Sequence, residues 1–436
     1  MVAVWALVAS ACDAGSSSSN DPTAGAGGAV SNGAAGAVGH AGSSGAPAGG
    51  AHTGGAAAGG GSAGAHTAGA GGAAGGTGGG LIFGMGGPFP FPQSKKPASC
   101  TLTTAAGASG SVQSVYNSWK AAMVTSNSAG TGGLRVQRNG PNDASDTVSE
   151  GIGYGMIAAV YMNDKPTFDG LWTYAQAHFD ANGLMNWHID SGGTVSGDGM
   201  GSATDADEDM AWALLMASNQ WSSAAYLAAA KSVITAIATN CIGADNTLKP
   251  GDSWGDTDVP VYPDYFAPSY YRVFAKVTSN PNWSGVIIDR NYTVLAMVSG
   301  SNGLVPDKTS ASLQPNGNYS YDACRTPWRI GMDYCFNAEP RAKAYLDKIG
   351  GFFNQIQGGP SNIVDGYSTS GSGTGNAHNM AFIGPAGVAG MDGFPSLLDG
   401  AFQFGAAGSD KSYFGQSLSV LTMLMMSGNF VDFTKP

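Results

Sequence analysis

The sequence predicts one large, mostly α-helical domain preceded by a long flexible segment. Globular composition begins at about residue 100, and from Val112 onward the apolar residues recur mostly at helical spacing. In SVQSVYNSWKAAMV, for example, one helix face carries Val112, Val115, Trp119 and Met123. Upstream, residues 16–80 are largely glycine, alanine and serine, which bury too little apolar surface to offset chain entropy. We therefore expect helices stacked in layers, with long loops gathered at one end.

The helices are predicted from apolar periodicity along the chain. In order, the candidate segments are 111–124, 155–162, 209–221, 222–240, 268–277, 286–298, 330–336, 340–356 and 416–426. Between them lie loops rich in Gly, Pro, Ser, Asn and Asp, such as DSGGTVSGDGMGSATD. Segments such as LLMAS and LTMLMM are apolar on more than one face, so these helices are expected to pack on both sides.

Charge argues against a nucleic-acid partner. The chain has 436 residues with 19 Lys+Arg and 30 Asp+Glu, a formal charge of −11. Nucleic-acid binding depends on clustered positive charge, so this class is disfavoured. Charged residues make up only 11 % of the chain, about half the usual share, which makes each acid in an apolar setting a candidate for chemistry.

The N-terminus predicts export. MVAVWALVASA is apolar but shorter than the ~20 residues of a membrane-spanning helix. We expect a signal over residues 1–15, a disordered linker over 16–95 and one folded domain over 96–436, in a secreted or surface-anchored protein. Ala9-Ser10-Ala11-Cys12 resembles a bacterial lipobox, which predicts a lipid anchor through Cys12. The alternative is a cleaved signal in which the cysteine is incidental.

Four further cysteines stand at positions 100, 241, 324 and 335, and none shows the spacing of a metal site. In an oxidising compartment one or two disulfides are expected, and Cys324 with Cys335 is the candidate pair by proximity in sequence. Buried free thiols are the alternative, because sequence does not fix the distance between two cysteines.

Glu150 is the first candidate acid. It lies in VSEGIGYGMIAAV, between small residues and the start of an apolar helix. An acid in the first turn is favoured by the helix dipole, so a structural role is one interpretation. The other is a carboxyl near apolar walls whose raised pKa suits a general acid.

A second group of acids crowds into ATDADEDMAWALLMA. A calcium-binding EF-hand loop requires glycine at its sixth position and glutamate at its twelfth, where Met210 and Met216 stand. No metal site is therefore predicted here. Capping of the following helix by Thr204 or Asp205 explains one acid but not the crowding.

The third candidate is Asp322, three residues before Arg325 in SYDACRTPWRIGMDYCF. On one helical turn the two face the same side, where the arginine is expected to hold the carboxylate ionised, as a general base requires. A plain ion pair is the alternative. Aromatic residues lie in or beside these polar loops and favour a carbohydrate cleft: Trp187, Trp254, Tyr265, Tyr270 and Trp328.

Three motifs together resemble glycoside hydrolase family 8, a family of endoglucanases, some xylanases and chitosanases. The resemblance covers about residues 101–430. Ala203-Thr204-Asp205-Ala206-Asp207, continuing to Trp221, matches the family signature. The segments 149–156 (SEGIGYGM) and 321–325 (YDACR) match those that carry the family's general acid and, in the cellulase-like branch, its general base.

The resemblance implies an (α/α)6 barrel that acts as an inverting endo-β-1,4-glucanase on β-glucan. Glu150 corresponds to the general acid, Asp322 to the general base and Asp205 to the acid that binds and distorts the central sugar. In an inverting enzyme the two catalytic carboxyls stand ~6.5–9.5 Å apart, which leaves room for a water. The expected substrate-binding residues are Ser149, Trp187, Trp254, Tyr265, Tyr321, Arg325 and Tyr413. No cofactor or metal is implied, and we expect a monomer.

Several alternatives stay open. Asp207 and Asp333 are other candidates for the base. Asp264 replaces the small residue that many relatives have before the tyrosine of YPDYFAP, so one subsite is expected to differ. Xylan, chitosan and mixed-linkage glucan are alternative substrates. A tethered polysaccharide-binding protein without catalysis is the alternative from another class.

Overall fold

A computed structural model describes residues 81–253, 261–309 and 313–435. Within these ranges the chain forms twelve α-helices and six two-residue strands. The helices are α1 (Ala108–Met123), α2 (Ser149–Tyr161), α3 (Lys165–Ala177), α4 (Thr204–Gln220), α5 (Ala224–Asn240), α6 (Pro268–Thr278), α7 (Ile288–Val298), α8 (Thr326–Asn337), α9 (Pro340–Asn354), α10 (Met380–Gly390), α11 (Pro395–Ala406) and α12 (Tyr413–Met426). In the described ranges, none of these helices combines the length and apolarity needed to cross a membrane.

The helices form two concentric rings, which is the expected (α/α)6 barrel. The even-numbered helices form the inner ring, in which α2 packs on α4, α6 on α8, α8 on α10, α10 on α12 and α12 on α2. The stacked rings of Trp212 and Tyr270, with centroids 4.5 Å apart, join α4 to α6 and close the ring. The odd-numbered helices pack outside, so each has one exposed face.

Inner helices are buried all round because they have neighbours on both sides. Every residue of α4, α10 and α12 is buried. Glycines allow the closest approaches: a Cβ at Gly384 of α10 would lie 2.4 Å from Thr422 Oγ1 of α12, and one at Gly387 would lie 2.6 Å from the Ala401 side chain of α11. A helix built this way has no polar face for periodicity to reveal.

Three helices were missing from the periodicity-based prediction: α3, α10 and α11. Each contains proline and glycine, as in MAFIGPAGVAG of α10, and such composition is typical of loops. In the barrel these glycines are packing positions. A Cβ at Gly170 of α3 would lie 2.5 Å from Leu134, and one at Gly400 of α11 would lie 2.8 Å from Pro360. Tertiary packing therefore outweighs the low helix propensity of these segments.

The strands pair only locally, as three antiparallel two-stranded ladders. They are β1 (Val124–Thr125) with β2 (Arg135–Val136), β3 (Thr147–Val148) with β4 (His188–Ile189), and β5 (Asn318–Tyr319) with β6 (Tyr367–Ser368). In the second ladder Val148 stands opposite His188. Because β3 leads directly into α2, this ladder fixes the loop after α3 next to the start of α2.

The segment before α1 contacts the end of the barrel where the inner helices finish. The Asn219 side-chain amide of α4 donates to the Ile82 carbonyl at 2.9 Å, and the Lys95 amide donates to the Gly428 carbonyl at 2.8 Å. The rings of Phe89 and Phe433 stack 4.4 Å apart. These contacts begin upstream of the predicted domain start at residue 96. The predicted signal at 1–15, Cys12 and the linker up to residue 80 lie outside the described residues.

The predicted pairing of Cys324 with Cys335 is wrong. Cys335 forms a disulfide with Cys100, with a Cα–Cα distance of 5.1 Å, whereas Cys324 and Cys241 are buried free thiols. Cys324 precedes α8 and Cys335 lies in its last turn, so about 16 Å of helix separates them. The observed bond ties the segment before α1 to the end of an inner helix.

The barrel interior contains a buried ion pair. Arg329 of α8 donates to both carboxylate oxygens of Asp209 of α4, at 2.5 and 2.9 Å, and both side chains are fully buried. A buried charge without its partner costs several kcal/mol, so each residue depends on the other. The pair therefore fixes α8 against α4 across the barrel.

We expect Arg329→Met to lower the free energy of unfolding by about 3–5 kcal/mol, because Asp209 loses its only cationic partner in the described contacts. Denaturant unfolding of the purified domain measures this. Arg290→Met, at a partly exposed pair with Asp245, is the control and should cost about 1 kcal/mol or less. Equal costs for the two variants contradict the interpretation. Adding Asp209→Leu to Arg329→Met should recover much of the loss.

Candidate active site

The N-terminal ends of the inner helices meet at the end of the barrel opposite the Phe89 segment. Each helix places a polar side chain there, within its first turn or just before it. In chain order these residues are Glu150 (α2), Asp205 (α4), Asp264 (α6), Arg325 (α8), Asn379 (α10) and Tyr413 (α12). Helix N-termini carry partial positive charge, so this end of the ring favours carboxylates.

One buried guanidinium, that of Arg325, contacts carboxylates from four elements. Nη1 lies 2.6 Å from Glu150 Oε2 and 2.7 Å from Asp205 Oδ2. Nη2 lies 2.5 Å from Asp264 Oδ2 and 3.5 Å from Asp322 Oδ1. A single positive charge therefore faces four acids, and not all of them can ionise easily in a buried setting.

Glu150 is held on both oxygens. Oε2 accepts from Arg325 Nη1, and Oε1 accepts from the Tyr413 hydroxyl at 2.9 Å. Gly151 makes room for this contact, since a Cβ there would lie 2.8 Å from the Tyr413 hydroxyl oxygen. Burial raises the pKa of Glu150 to about 7, assisted by the charges of Asp205 and Asp322, while Arg325 and Tyr413 act in the opposite direction. A carboxyl in this environment exchanges a proton near neutrality.

Asp205 lies in the first turn of α4 and is buried. Its Oδ2 accepts from Arg325, while Oδ1 has no hydrogen-bond partner among the described residues. The helix begins without a side-chain cap, so the dipole of α4 acts on this carboxylate together with the arginine. The unused Oδ1 can accept a hydroxyl from a bound molecule.

Asp322 differs from the expectation of a close ion pair with Arg325. The Nη2 contact is long at 3.5 Å, because the short contacts of the guanidinium go to the other three acids. Burial raises the pKa of Asp322, and the attraction of Arg325 only partly opposes this. The side chain is nevertheless 31 % exposed, compared with 15 % for Glu150, 2 % for Asp205 and 0 % for Asp264. It is the acid of this group that water reaches most readily.

The contacts also limit the distance between Glu150 and Asp322. Glu150 lies on one terminal nitrogen of Arg325 and Asp322 on the other, at 2.6 and 3.5 Å. Since the two nitrogens of a guanidinium are ~2.3 Å apart, these two carboxylate oxygens are separated by at most about 8.4 Å, which overlaps the ~6.5–9.5 Å range of inverting enzymes.

The alternative bases lie away from this centre. Asp207 is fully buried, and its Oδ1 accepts from the Met185 amide at 3.1 Å. Burial raises its pKa well above the ordinary value. Asp333 is also fully buried, and it accepts two hydrogen bonds from Arg272, at 2.7 and 2.9 Å. Neither carboxylate is open to water as Asp322 is.

Two further acids surround Asp322. Asp264 is fully buried, and burial raises its pKa well above the usual range despite the contact with Arg325. Asp307 accepts from the backbone amides of Ser320 and Ala323 at 2.8 and 2.9 Å, so it holds the turn that carries Asp322. Burial, and then the charge of Asp322, raises the pKa of Asp307 to about 7.

The predicted sugar-contacting residues are distributed around this centre. Tyr265 is mostly buried, with its ring centroid 5.5 Å from the Arg325 guanidinium carbon. The Tyr321 hydroxyl donates to Asp365 at 2.9 Å. Trp187 is half-buried and next to the start of the helix that carries Glu150. Ser149 is buried and its amide donates to the Trp187 carbonyl, whereas Trp254 lies outside the described residues.

Sequence reasoning missed several residues that support the site. Tyr154 lies 3.3 Å from Arg325 through its hydroxyl, and Asn379 donates to the Tyr321 hydroxyl at 3.2 Å. Asp365 holds Tyr321 from another loop. Tyr154 stands one turn after Glu150, so helical spacing could have found it. Asp307, Asp365 and Asn379 lie in loops, where no periodicity relates them to the site.

We expect Arg325→Met to be much less stable at pH 8 than at pH 5. Without the arginine, the carboxyl of Glu150 has no positive charge beside it, so its pKa in the folded state rises further above the ordinary value. An acid whose pKa is higher in the folded than in the unfolded state loses stability as pH increases between the two values. Denaturant unfolding should give a loss relative to the parent that is larger at pH 8 by at least about 1.4 kcal/mol, one pKa unit. A loss independent of pH contradicts this account.

Comparison with known proteins identifies the family. Residues 89–428 match the model of glycosyl hydrolases family 8. Endoglucanase A of Acetivibrio thermocellus is 41 % identical over 332 residues, which cover 72 % of this chain and 68 % of that protein. Endoglucanase C of Ruminiclostridium cellulolyticum is 37 % identical over 361 residues, which cover 79 % and 77 %.

Solved structures agree in fold. The apo β-1,3-1,4-glucanase from Paenibacillus sp. X4 superposes with a TM-score of 0.72 at 33 % identity, covering 78 % of this chain and 98 % of that one. A reducing-end xylose-releasing exo-oligoxylanase from Paenibacillus barcinonensis has the same fold, with a TM-score of 0.64 at 19 % identity, covering 78 % and 100 %. With its three motifs gathered around Arg325 in a double ring of helices, the chain belongs to glycosyl hydrolase family 8.

Proposed function

We propose that this protein is an inverting endo-β-1,4-glucanase in which Glu150 is the general acid and Asp322 the general base. The observation that carries the proposal is the arrangement around Arg325. Glu150 and Asp322 contact different nitrogens of this one guanidinium. The Glu150 side chain is 15 % exposed and hydrogen-bonded on both oxygens, whereas the Asp322 side chain is 31 % exposed and has only a long contact with the arginine. Two carboxyls in contrasting environments are what acid and base assignments require.

Glu150 has the environment of a general acid. With a pKa of about 7 it is mostly protonated in weakly acidic solution, so it can give its proton to the glycosidic oxygen as the C1–O bond breaks. Donation leaves a carboxylate, which Arg325 and Tyr413 stabilise by charge and hydrogen bonding. The two contacts therefore become stronger as the reaction proceeds, which is what lowers a barrier.

Asp322 has the exposure of a general base. It takes one proton from a water, whose oxygen attacks C1 on the face opposite the leaving group and forms the new C–O bond. The leaving sugar receives the proton of Glu150, and exchange with solvent restores both carboxyls. Asp207 and Asp333 are fully buried, which favours Asp322 for this role.

The substrate is proposed to be β-glucan. The relatives described above are named endoglucanases, and the free Oδ1 of Asp205 supplies an acceptor for a sugar hydroxyl beside the acid. Trp187 supplies a half-exposed aromatic face on which a sugar ring can stack. The solved relative named a β-1,3-1,4-glucanase makes mixed-linkage glucan the second candidate.

The cellular location is also proposed. The disulfide between Cys100 and Cys335 supports export to an oxidising compartment, because such bonds persist there. Together with the apolar N-terminus it favours a secreted or surface-anchored protein, with Cys12 as the site of a lipid anchor. We also propose that the protein acts as a monomer. Palmitate labelling of the full chain, with Cys12→Ser as the control, tests the anchor.

Reducing-sugar release from carboxymethylcellulose, lichenan, xylan and chitosan tests the activity, with NMR following the anomer formed first. Release from carboxymethylcellulose with α-anomeric products supports an inverting β-glucanase. Faster release from lichenan or xylan reassigns the substrate, and β-anomeric products overturn the acid and base assignment. Glucan binding without any release supports the non-catalytic alternative.

We expect Glu150→Gln to reduce kcat on carboxymethylcellulose by about 10²–10⁴, because the amide cannot donate the proton. Binding of cello-oligosaccharides should persist, since the side chain keeps its size. Asp289→Asn changes an exposed acid on α7 and serves as the control with parental kcat. Parental activity in Glu150→Gln assigns the acid elsewhere.

The pH profile of kcat/KM should lose activity above about pH 7, where Glu150 gives up its proton in the free enzyme. Tyr413→Phe removes a hydrogen bond that favours the carboxylate, so the pKa of Glu150 rises and the falling limb moves to higher pH. The maximum should drop by roughly tenfold, because the anion left after proton transfer loses a donor. A limb that stays in place or moves to lower pH contradicts this role of Tyr413.

A further inference from the structure

The loop that carries Trp187 is fixed to the helix that carries Glu150. The Trp187 carbonyl accepts from the Ser149 amide at 2.9 Å, and its amide donates to the Gly201 carbonyl at 2.8 Å. Its indole Nε1 donates to the Asp198 carbonyl at 2.7 Å. The direction of the indole therefore depends on where Asp198 is held.

Asp198 is held by His188, which follows Trp187 in the sequence and is the first residue of β4. Nε2 of His188 lies 2.7 Å from Asp146 Oδ2, and Nδ1 lies 2.8 Å from Ser196 Oγ and 3.2 Å from Asp198 Oδ1. The imidazole also contacts the Trp187 ring, with centroids 5.0 Å apart. His188 thus bridges the segment before α2 and the loop under Trp187.

The hydrogen bonds of this bridge are all satisfied at once when the imidazole is protonated. Ser196 Oγ lies 2.6 Å from Asp198 Oδ1, and a hydroxyl has one proton, which it gives to the carboxylate. Toward His188 the same oxygen is then an acceptor, so Nδ1 must carry a hydrogen. Nε2 faces the acceptor Asp146 and must carry one too. Only the imidazolium has hydrogens on both nitrogens.

The charged groups around His188 also favour the protonated imidazole. The charged groups that face His188 are Asp146 from the segment before β3 and Asp198 from its own loop. Behind Asp146, Arg138 donates to both carboxylate oxygens at 2.7 and 2.6 Å, and Asp143 lies 3.5 Å from Arg138. The hydrogen bond to Asp146 is the main cause that raises the pKa of His188 above about 6.5.

We propose that His188 is a positioning residue for Trp187: its imidazolium, bridging Asp146 and Asp198, holds the indole as a sugar-stacking platform. Deprotonation removes one of the two donated hydrogen bonds and releases Asp198, so the affinity for glucan at this part of the cleft depends on the charge of His188. The inference rests on the proposed function, because it concerns the same cleft and the same class of substrate.

The affinity for glucan is expected to fall as pH rises, because His188 loses its charge. A histidine with a raised pKa keeps its charged contacts at low pH and loses them as pH rises through the folded-state value. Tight binding is therefore expected at pH 6 and weaker binding at pH 9. Glu150 and Asp307 also have pKa values of about 7, so the measurement is made in the Glu150→Gln background and every variant compared also carries Asp307→Asn.

Calorimetric titration of Glu150→Gln with cellohexaose should give a Kd that increases about fivefold between pH 6 and pH 9, a change equivalent to about 1 kcal/mol. Adding His188→Gln should make the Kd weak at pH 6 and nearly independent of pH. Adding His378→Gln, a histidine hydrogen-bonded to the Ile363 carbonyl in another loop, should leave the pH dependence unchanged.

Trp187→Ala separates positioning from a general structural effect. In the Glu150→Gln/Trp187→Ala background, His188→Gln should have no further effect on Kd, whereas a general loosening of the loop would weaken binding again. A pH-independent Kd before His188 is changed overturns the inference, as does a pH dependence that survives His188→Gln. Hydrolysis of carboxymethylcellulose by the parent at pH 6, measured alongside, separates these outcomes from failure of the proposed function, which would abolish hydrolysis whatever the effect of His188→Gln on binding.

Discussion

The site depends on one constraint, a single buried guanidinium that has too many carboxylates around it. Arg325 neutralises at most one of the acids contributed by α2, α4 and the turns before α6 and α8. The helix N-termini add partial positive charge, but burial still raises the pKa of Glu150 to about 7. Proton affinity near neutrality is therefore a property of the whole ring, because Asp205, Asp322 and Arg325 all act on the pKa of Glu150.

The ring stays in place because the same two helices pair again one turn deeper. Arg325, just before α8, and Arg329, within it, are four residues apart, and so are Asp205 and Asp209 on α4, so a second ion pair lies beneath the first. The lower pair is fully buried and made by two parallel hydrogen bonds, which fix orientation as well as distance. A shift of α8 against α4 would break both pairs, and this coupling holds Arg325 where the acids converge.

Sequence predicts this molecule well where periodicity or a motif carries the signal. The spacing around Val112 and Trp119 predicts α1, and the motifs that hold Glu150, Asp205 and Asp322 predict residues that the fold brings together. Prediction from the sequence fails where the structure of a segment depends on its packing against distant residues. The glycines of α10 resemble a loop until α12 is placed beside them, and Cys335 is bonded to a residue 235 positions away. The long Asp322–Arg325 contact was equally hidden, because the competing acids come from other helices.

The β3–β4 ladder has only four residues, yet it determines the position of Trp187 relative to Glu150. Val148 opposite His188 sets the register, and the next hydrogen bond joins the Ser149 amide to the Trp187 carbonyl. Since side chains alternate along a strand, a slip of one residue would turn Trp187 away from the cleft and displace the start of α2. The aromatic face and Glu150 therefore hold a constant relative position. Under the proposed function, a sugar stacked on Trp187 would therefore be placed relative to Glu150 by backbone hydrogen bonds.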